Sequence, residues 1–129
     1  MARVIDLELG AEERAPSRAR AAVATLEGNL SPTAVQALQL LVTELVTNCV
    51  RHGDLAPDAS IRLLVVPRSD RIRVEVTDPG RGFGDRPARP RPAGEAGWGL
   101  YLVDRVADRW GVREDDGTHV WFELDRRSA

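Results

Sequence analysis

Glu44, Asn48 and His52 follow one another at intervals of four residues. On a helix that spacing puts a carboxylate, an amide and an imidazole in one row. Counted at 100° per residue, the row borders an apolar stripe containing Leu41, Leu45 and Cys49. Asparagine is a poor helix-interior residue, because its side chain competes for backbone hydrogen bonds. A carboxylate and an amide oxygen at this spacing can hold a Mg2+ that keeps most of its waters. The same residues also read as a solvated helix face with His52 near the negative end of the helix dipole. For this pair alone that plainer reading is favoured.

Three further stretches carry chemistry. Asp78-Pro79-Gly80-Arg81-Gly82-Phe83 directly follows a strand-like segment. Its glycines permit close approach of backbone to a ligand, and an Asp at a strand end can accept from an exocyclic amine. It is equally a Pro-Gly turn. Gly97-Trp98-Gly99-Leu100 opens a helical pattern, where unobstructed N–H groups suit an anion, though a lone GxG is also a plain lead-in. Arg81, Arg86, Arg89 and Arg91 stand against Asp85 in a Pro-rich loop, and arginine suits multidentate phosphate contacts, although most charged loops are simply solvated. No phosphate-binding G-x-x-x-x-G-K-[ST] stretch occurs.

The elements that must position these residues are legible in outline. Val4–Leu9 alternates as a half-buried strand, and Glu12–Leu26 reads as a helix ended by Gly28-Asn29. Ser31 is a good N-cap and Pro32 a good first helical residue. Val35, Leu38, Val42, Leu45 and Cys49 then keep the helical period to His52, before Gly53. Ile61–Pro67 and Ile72–Val76 read as a hairpin. Residues 84–96 show no periodicity and form a long loop, of the kind that serves as a lid or is disordered. A helix carrying Leu100, Val103, Val106 and Ala107 follows, then strands Trp110–Glu114 and Thr118–Leu124 around Asp115-Asp116-Gly117. The order β-α-α-β-β-loop-α-β-β predicts an α+β, two-layer α/β sandwich, with helices on one face of a mainly antiparallel mixed sheet.

Composition narrows the class. The chain has 129 residues, room for one domain with its own core. It is 43% hydrophobic and 29% charged with a net charge of −2, which lacks the basic field of a nucleic-acid binder. Every basic residue is Arg, a skew that reads as coding bias. The single cysteine, Cys49, excludes an internal disulfide and a multi-cysteine zinc site, and it reads as a core residue with no redox role. The absence of an 18-residue apolar run predicts no membrane span. The charged N-terminal residues do not suit a secretory leader, so the expectation is a cytoplasmic protein.

Taken together and in this order, the motifs resemble the Bergerat-fold (GHKL) ATP-binding family, which includes histidine-kinase catalytic domains, gyrase B, Hsp90 and MutL. Glu44-Leu-Val-Thr-Asn48-Cys-Val-Arg-His52-Gly looks like its N box, and Asp78-Pro-Gly80-Arg-Gly82 like its first glycine box. Gly97-Trp-Gly99-Leu100 looks like its second, and Gly117-Thr118 like its closing G-T. Each box is weak alone; four in order over roughly residues 18–124 are a strong signal. The nearest likeness is to short bacterial anti-sigma-factor serine/threonine kinases, through Gly99–Val112 and Val120–Leu124.

The resemblance implies one ATPase domain over residues 1–129, with an ATP lid at about 84–96. It implies ATP and Mg2+ as cofactors. Asn48 would hold the metal, and Glu44 would be the general base or orient the acceptor hydroxyl. Asp78 would bind the adenine amine, supported by Thr118, and His52 would belong to the same nucleotide-binding box. Gly80 and Gly82 would admit the nucleotide, and Gly97, Gly99 and Leu100 would offer N–H groups to the phosphates. It implies a STAS-domain anti-anti-sigma factor and a sigma factor as partners, no direct nucleic-acid or membrane contact, and strand edges suited to a homodimer. The alternative is a non-catalytic, nucleotide-gated binding module with the same fold. A detached histidine-kinase domain ranks below both, because no dimerisation helix carrying a phosphoacceptor histidine precedes the N box.

Overall fold

The computed structural model describes residues 3–52, 55, 56, 58–79 and 98–126. The elements run β1 (Ile5–Gly10), α1 (Ala15–Ala24), α2 (Pro32–His52), β2 (Ser60–Pro67), β3 (Arg71–Asp78), α3 (Trp98–Val106), β4 (Arg109–Glu114) and β5 (Thr118–Asp125). The five strands form one sheet in the order β1-β2-β3-β5-β4. The two-layer architecture is the one expected from the sequence. All four pairings are antiparallel, so the described sheet has no mixed component. The reason is topological. The α3 crossover returns the chain to β4 in the direction of β3, but the β4–β5 hairpin places β5 between them.

Helix α2 begins where its cap dictates. The Ala34 N–H donates to Ser31 Oγ at 3.1 Å, and Pro32 takes the first position, where a missing N–H costs nothing. Over Pro32–Arg51 its length and mean hydropathy of 1.2 would suit a membrane span. Packing accounts for that apolarity: Leu38, Leu41, Val42, Leu45 and Val46 are buried in the core. Helix α1 is shorter than the expected Glu12–Leu26. Pro16 falls at its start, because a proline farther inside would lose a hydrogen bond and clash with the preceding turn.

Strand alternation sorts the sheet into two faces. Ile61, Leu63, Val65, Ile72, Val74, Val76, Val120, Phe122 and Leu124 are buried in the core cluster with Val23, Leu26 and the α2 residues. The opposite face carries Arg71, Arg73, Trp121, Glu123 and Arg109, with Arg73 stacked 4.3 Å over the Trp121 ring. Gly111 lies across from Trp121, and a Cβ there would meet the indole Nε1 at 2.7 Å.

Glu123 gathers three arginines from the two strands that flank its own. Arg109 Nε lies 2.9 Å from it, Arg73 Nη1 3.3 Å and Arg71 Nη1 3.5 Å. These partners, Arg109 first, hold the Glu123 carboxyl below its usual range. A depressed folded-state value stabilises the fold above the unfolded value of about 4.3 and is lost as pH falls through the folded one. Because the arginines are a third to a half exposed, the contribution is about 1 kcal/mol or less. Glu123→Gln is therefore expected to lower the urea midpoint at about pH 7, with the gap to wild type narrowing between about pH 5 and pH 3. Urea titrations at a series of pH values check this; a gap independent of pH refutes it.

Candidate functional site

The site forms where the C-terminal half of α2 meets the ends of β3 and β5. Asp78 is the last residue of β3 and Thr118 the first of β5, and the two are register partners. They share the face of the buried Val76 and Val120, two residues away on each strand, which is turned toward the helices. Asp78 is 7% exposed and Thr118 3%. From α2, Cys49 reaches across and its Sγ–H donates to Asp78 Oδ2 at 3.1 Å. That bond brings the Asn48-Cys49 turn of the helix up to the strand end.

The backbone frames this corner. The β4–β5 turn closes with the Asp115 N–H donating to the Gly117 carbonyl at 3.0 Å. Gly117 has φ +112°, and a Cβ there would overlap the carbonyl oxygen of Asp78. Glycine is thus required twice, for its dihedral and for contact between two backbones. On the outward face, His119 braces the turn: Nε2 lies 2.8 Å from the Asp115 carbonyl oxygen and Nδ1 lies 3.1 Å from Thr77 Oγ1.

Chemically, the corner suits a polar group presented from an otherwise flat apolar ligand. A buried carboxylate accepts hydrogen bonds, and the Thr118 hydroxyl, with its Oγ1 shut off from solvent, has no partner among the described residues. A buried hydroxyl left unpaired costs about 1–3 kcal/mol, so a ligand or water that pairs with it is favoured. Burial raises the Cys49 thiol well above the usual thiol range, reinforced by the Asp78 charge. The thiol therefore stays protonated and remains a donor. A shallow pocket of about 170 Å³ opens at the same end of the sheet between Glu8, Arg62, Thr77 and Asp116. Asp78 and Pro79 also line it, while Glu8, Arg62 and Thr77 belong to the outward face, so it meets this corner at the end of β3.

Of the residues singled out in the sequence, Asp78 and Thr118 are brought together. Glu44 and Asn48 lie half-buried on α2, one turn apart, leading to the same corner. Leu100 is buried in the first turn of α3, and Gly99 lies beside it in that helix. His52 closes α2, but its side chain lies outside the described residues. Gly80, Gly82, Gly97 and the lid at 84–96 also lie outside them. Cys49 packs against the core, as its place on the apolar stripe predicts, but periodicity does not show its contact with Asp78. It sits half-buried at the site, with its thiol on the candidate base-binding carboxylate. Its position next to Asn48 was the available signal.

Residues 9–124 match the histidine kinase-like ATPase domain family. The chain belongs to this family. An uncharacterized protein of Streptomyces coelicolor is 42% identical over 76 residues, covering 57% of this chain and 70% of that one. Anti-sigma F factors of a Thermoanaerobacter species and of Thermoanaerobacter pseudethanolicus are each 26% identical over 123 residues, covering 88% of this chain and 86% of theirs. Among solved structures, the blue-light activated histidine kinase of Erythrobacter litoralis superposes with a TM-score of 0.59 at 22% identity. The match covers 95% of this chain and 46% of that kinase, and shows a shared fold. The chain is thus a GHKL-type ATPase domain similar to anti-sigma F factors.

Proposed function

We propose that this protein is an ATP-binding serine/threonine kinase of the anti-sigma-factor type. Its partners would be a STAS-type anti-anti-sigma protein, as phosphoacceptor, and a sigma factor that it sequesters. The observation that carries the reading is the buried Asp78 carboxylate beside the Thr118 hydroxyl, which has no partner among the described residues, at a junction led to by Glu44 and Asn48. The likeness to anti-sigma F factors over 88% of the chain supports the partner class.

The residues fit the nucleotide. Asp78 would accept the adenine amine, and the Thr118 hydroxyl would complete that network. Asn48 would offer its amide oxygen to Mg2+, a cation that takes few protein ligands and keeps phosphate oxygens and waters. Bound ATP supplies the γ-phosphoryl group, and ADP is the leaving group. Glu44, one turn before Asn48, would orient the acceptor hydroxyl and take its proton. Phosphoryl transfer asks mainly for positioning and charge neutralisation, and these side chains offer both.

Titration calorimetry with ATP and ADP, with and without Mg2+, tests the site. Wild type is expected to bind with Mg2+ dependence. Asp78→Asn is expected to weaken ATP about ten-fold or more, since an amide turns a donor toward the base amine. Glu44→Ala is expected to keep ATP binding while losing transfer to a STAS-domain substrate. No binding by wild type at millimolar nucleotide would overturn the proposal. Unchanged transfer in Glu44→Ala would remove the role given to that residue.

A further inference from the structure

Cys49 is the one thiol in the chain, and the fold spends it on the end of a carboxylate. A carboxylate on a short stem has a broad, roughly two-fold torsion at its end, so by itself it turns easily. The donor on Oδ2 restrains that turn, and it comes from the turn of α2 that also carries Asn48. In this bond the thiol supplies its one proton and a carboxylate oxygen receives it: sulfur donates and Asp78 accepts. The second polar group of the corner, the Thr118 hydroxyl, is 3% exposed and unpartnered among the described atoms. It stands directly across from Asp78 on the neighbouring strand. A ligand's polar edge or a water would complete it.

We propose that Cys49 is a positioning residue for purine selectivity, its S–H···Oδ2 bond fixing the Asp78 carboxylate so that it accepts an exocyclic amine and rejects a carbonyl at the same place on the base. This rests on the nucleotide reading given above. Adenine presents an amine where guanine presents an oxygen. A carboxylate held in place pairs with the first and opposes the lone pairs of the second, and a site built on hydrogen bonds discriminates strongly when the partner is wrong. Specificity of this kind comes as much from the repulsion as from the attraction. A carboxylate held less firmly would bind the amine less well and yield to the carbonyl. Cys49 touches neither base nor phosphate in this account; it acts through Asp78.

The test titrates Mg·ATP and Mg·GTP into wild type, Cys49→Ala and Cys49→Ser, with urea midpoints taken on the same samples. Cys49→Ala is expected to weaken ATP about five-fold, or about 1 kcal/mol, and to change GTP less than about two-fold. The ATP-to-GTP preference then shrinks by about that five-fold. Cys49→Ser keeps a donor on the carboxylate and is expected to restore the preference, which loss of packing alone would not explain. An unchanged preference in Cys49→Ala overturns the proposal even if its affinities fall together. Wild type binding neither nucleotide overturns the nucleotide reading, and the selectivity role with it. A nucleotide-free readout examines the bond itself. With one cysteine, the Raman S–H stretch is a single band, and Asp78→Asn, a weaker acceptor, is expected to move it to higher frequency. A band unmoved by that substitution overturns the thiol–carboxylate bond whatever the nucleotide titrations show.

Discussion

Replacing Phe122 with alanine is expected to remove about 3–5 kcal/mol of stability. Phe122 is fully buried and heads the largest buried side chains. It stands at the middle of β5, with Val74 of β3 on one side and Trp110 of β4 on the other. Its neighbours are fixed in two ladders, so they cannot slide into the space a lost ring would leave. The penalty then includes a residual cavity as well as lost transfer energy. Domains of this kind have about 5–15 kcal/mol in total, so the variant approaches the unfolding threshold. Urea denaturation should show a lower midpoint with the slope retained. Trp121, one residue earlier, points to the opposite face and is only partly buried. Trp121→Ala is expected to cost less, despite removing a larger side chain. The reverse order would mean that the two faces of the sheet have been assigned the wrong way round.

That assignment shows what local pattern can and cannot carry. Alternation in Ile72–Val76 and Val120–Leu124 was readable one strand at a time, because a strand with one buried face must alternate. The α2 boundaries were readable because Ser31 and Pro32 act within their own turn. The order of strands was not, since it depends on where the α3 crossover lays down the last hairpin. At the site, Glu44 and Asn48 announced themselves by helical spacing. The partnership of Asp78 with Thr118 follows only from register across the β3–β5 pair, forty residues apart in the chain. Cys49 was hardest to read. An apolar-looking residue on an apolar stripe reads as core from periodicity alone, and only the approach of β3 turns its thiol into a donor. Pro16 shows the opposite error, a local signal set aside in favour of a long Ala-rich run.

Gly117→Ala is expected to cost about 2–4 kcal/mol and, with it, about ten-fold or more in nucleotide affinity. Two effects combine. The residue holds φ +112°, outside what an alanine adopts without strain. Its Cβ would also overlap the Asp78 carbonyl oxygen and press on Pro79 Cα at 3.2 Å. These obstacles are backbone, not the far end of a flexible side chain, so either the β4–β5 turn or the end of β3 must move. Movement of either separates Thr118 from Asp78, the pair on which the proposed base recognition depends. Gly28 supplies the control. It has φ +90° but nothing within 4 Å of the added carbon, so Gly28→Ala isolates dihedral strain at about 1–2 kcal/mol with no effect on the site. The excess cost of Gly117→Ala over Gly28→Ala measures the collision alone. Equal stability losses in urea and equal ATP affinities would show that the turn is not seated on the β3 end. A loss of affinity confined to Gly117→Ala ties the closing turn of the sheet directly to the geometry of Asp78.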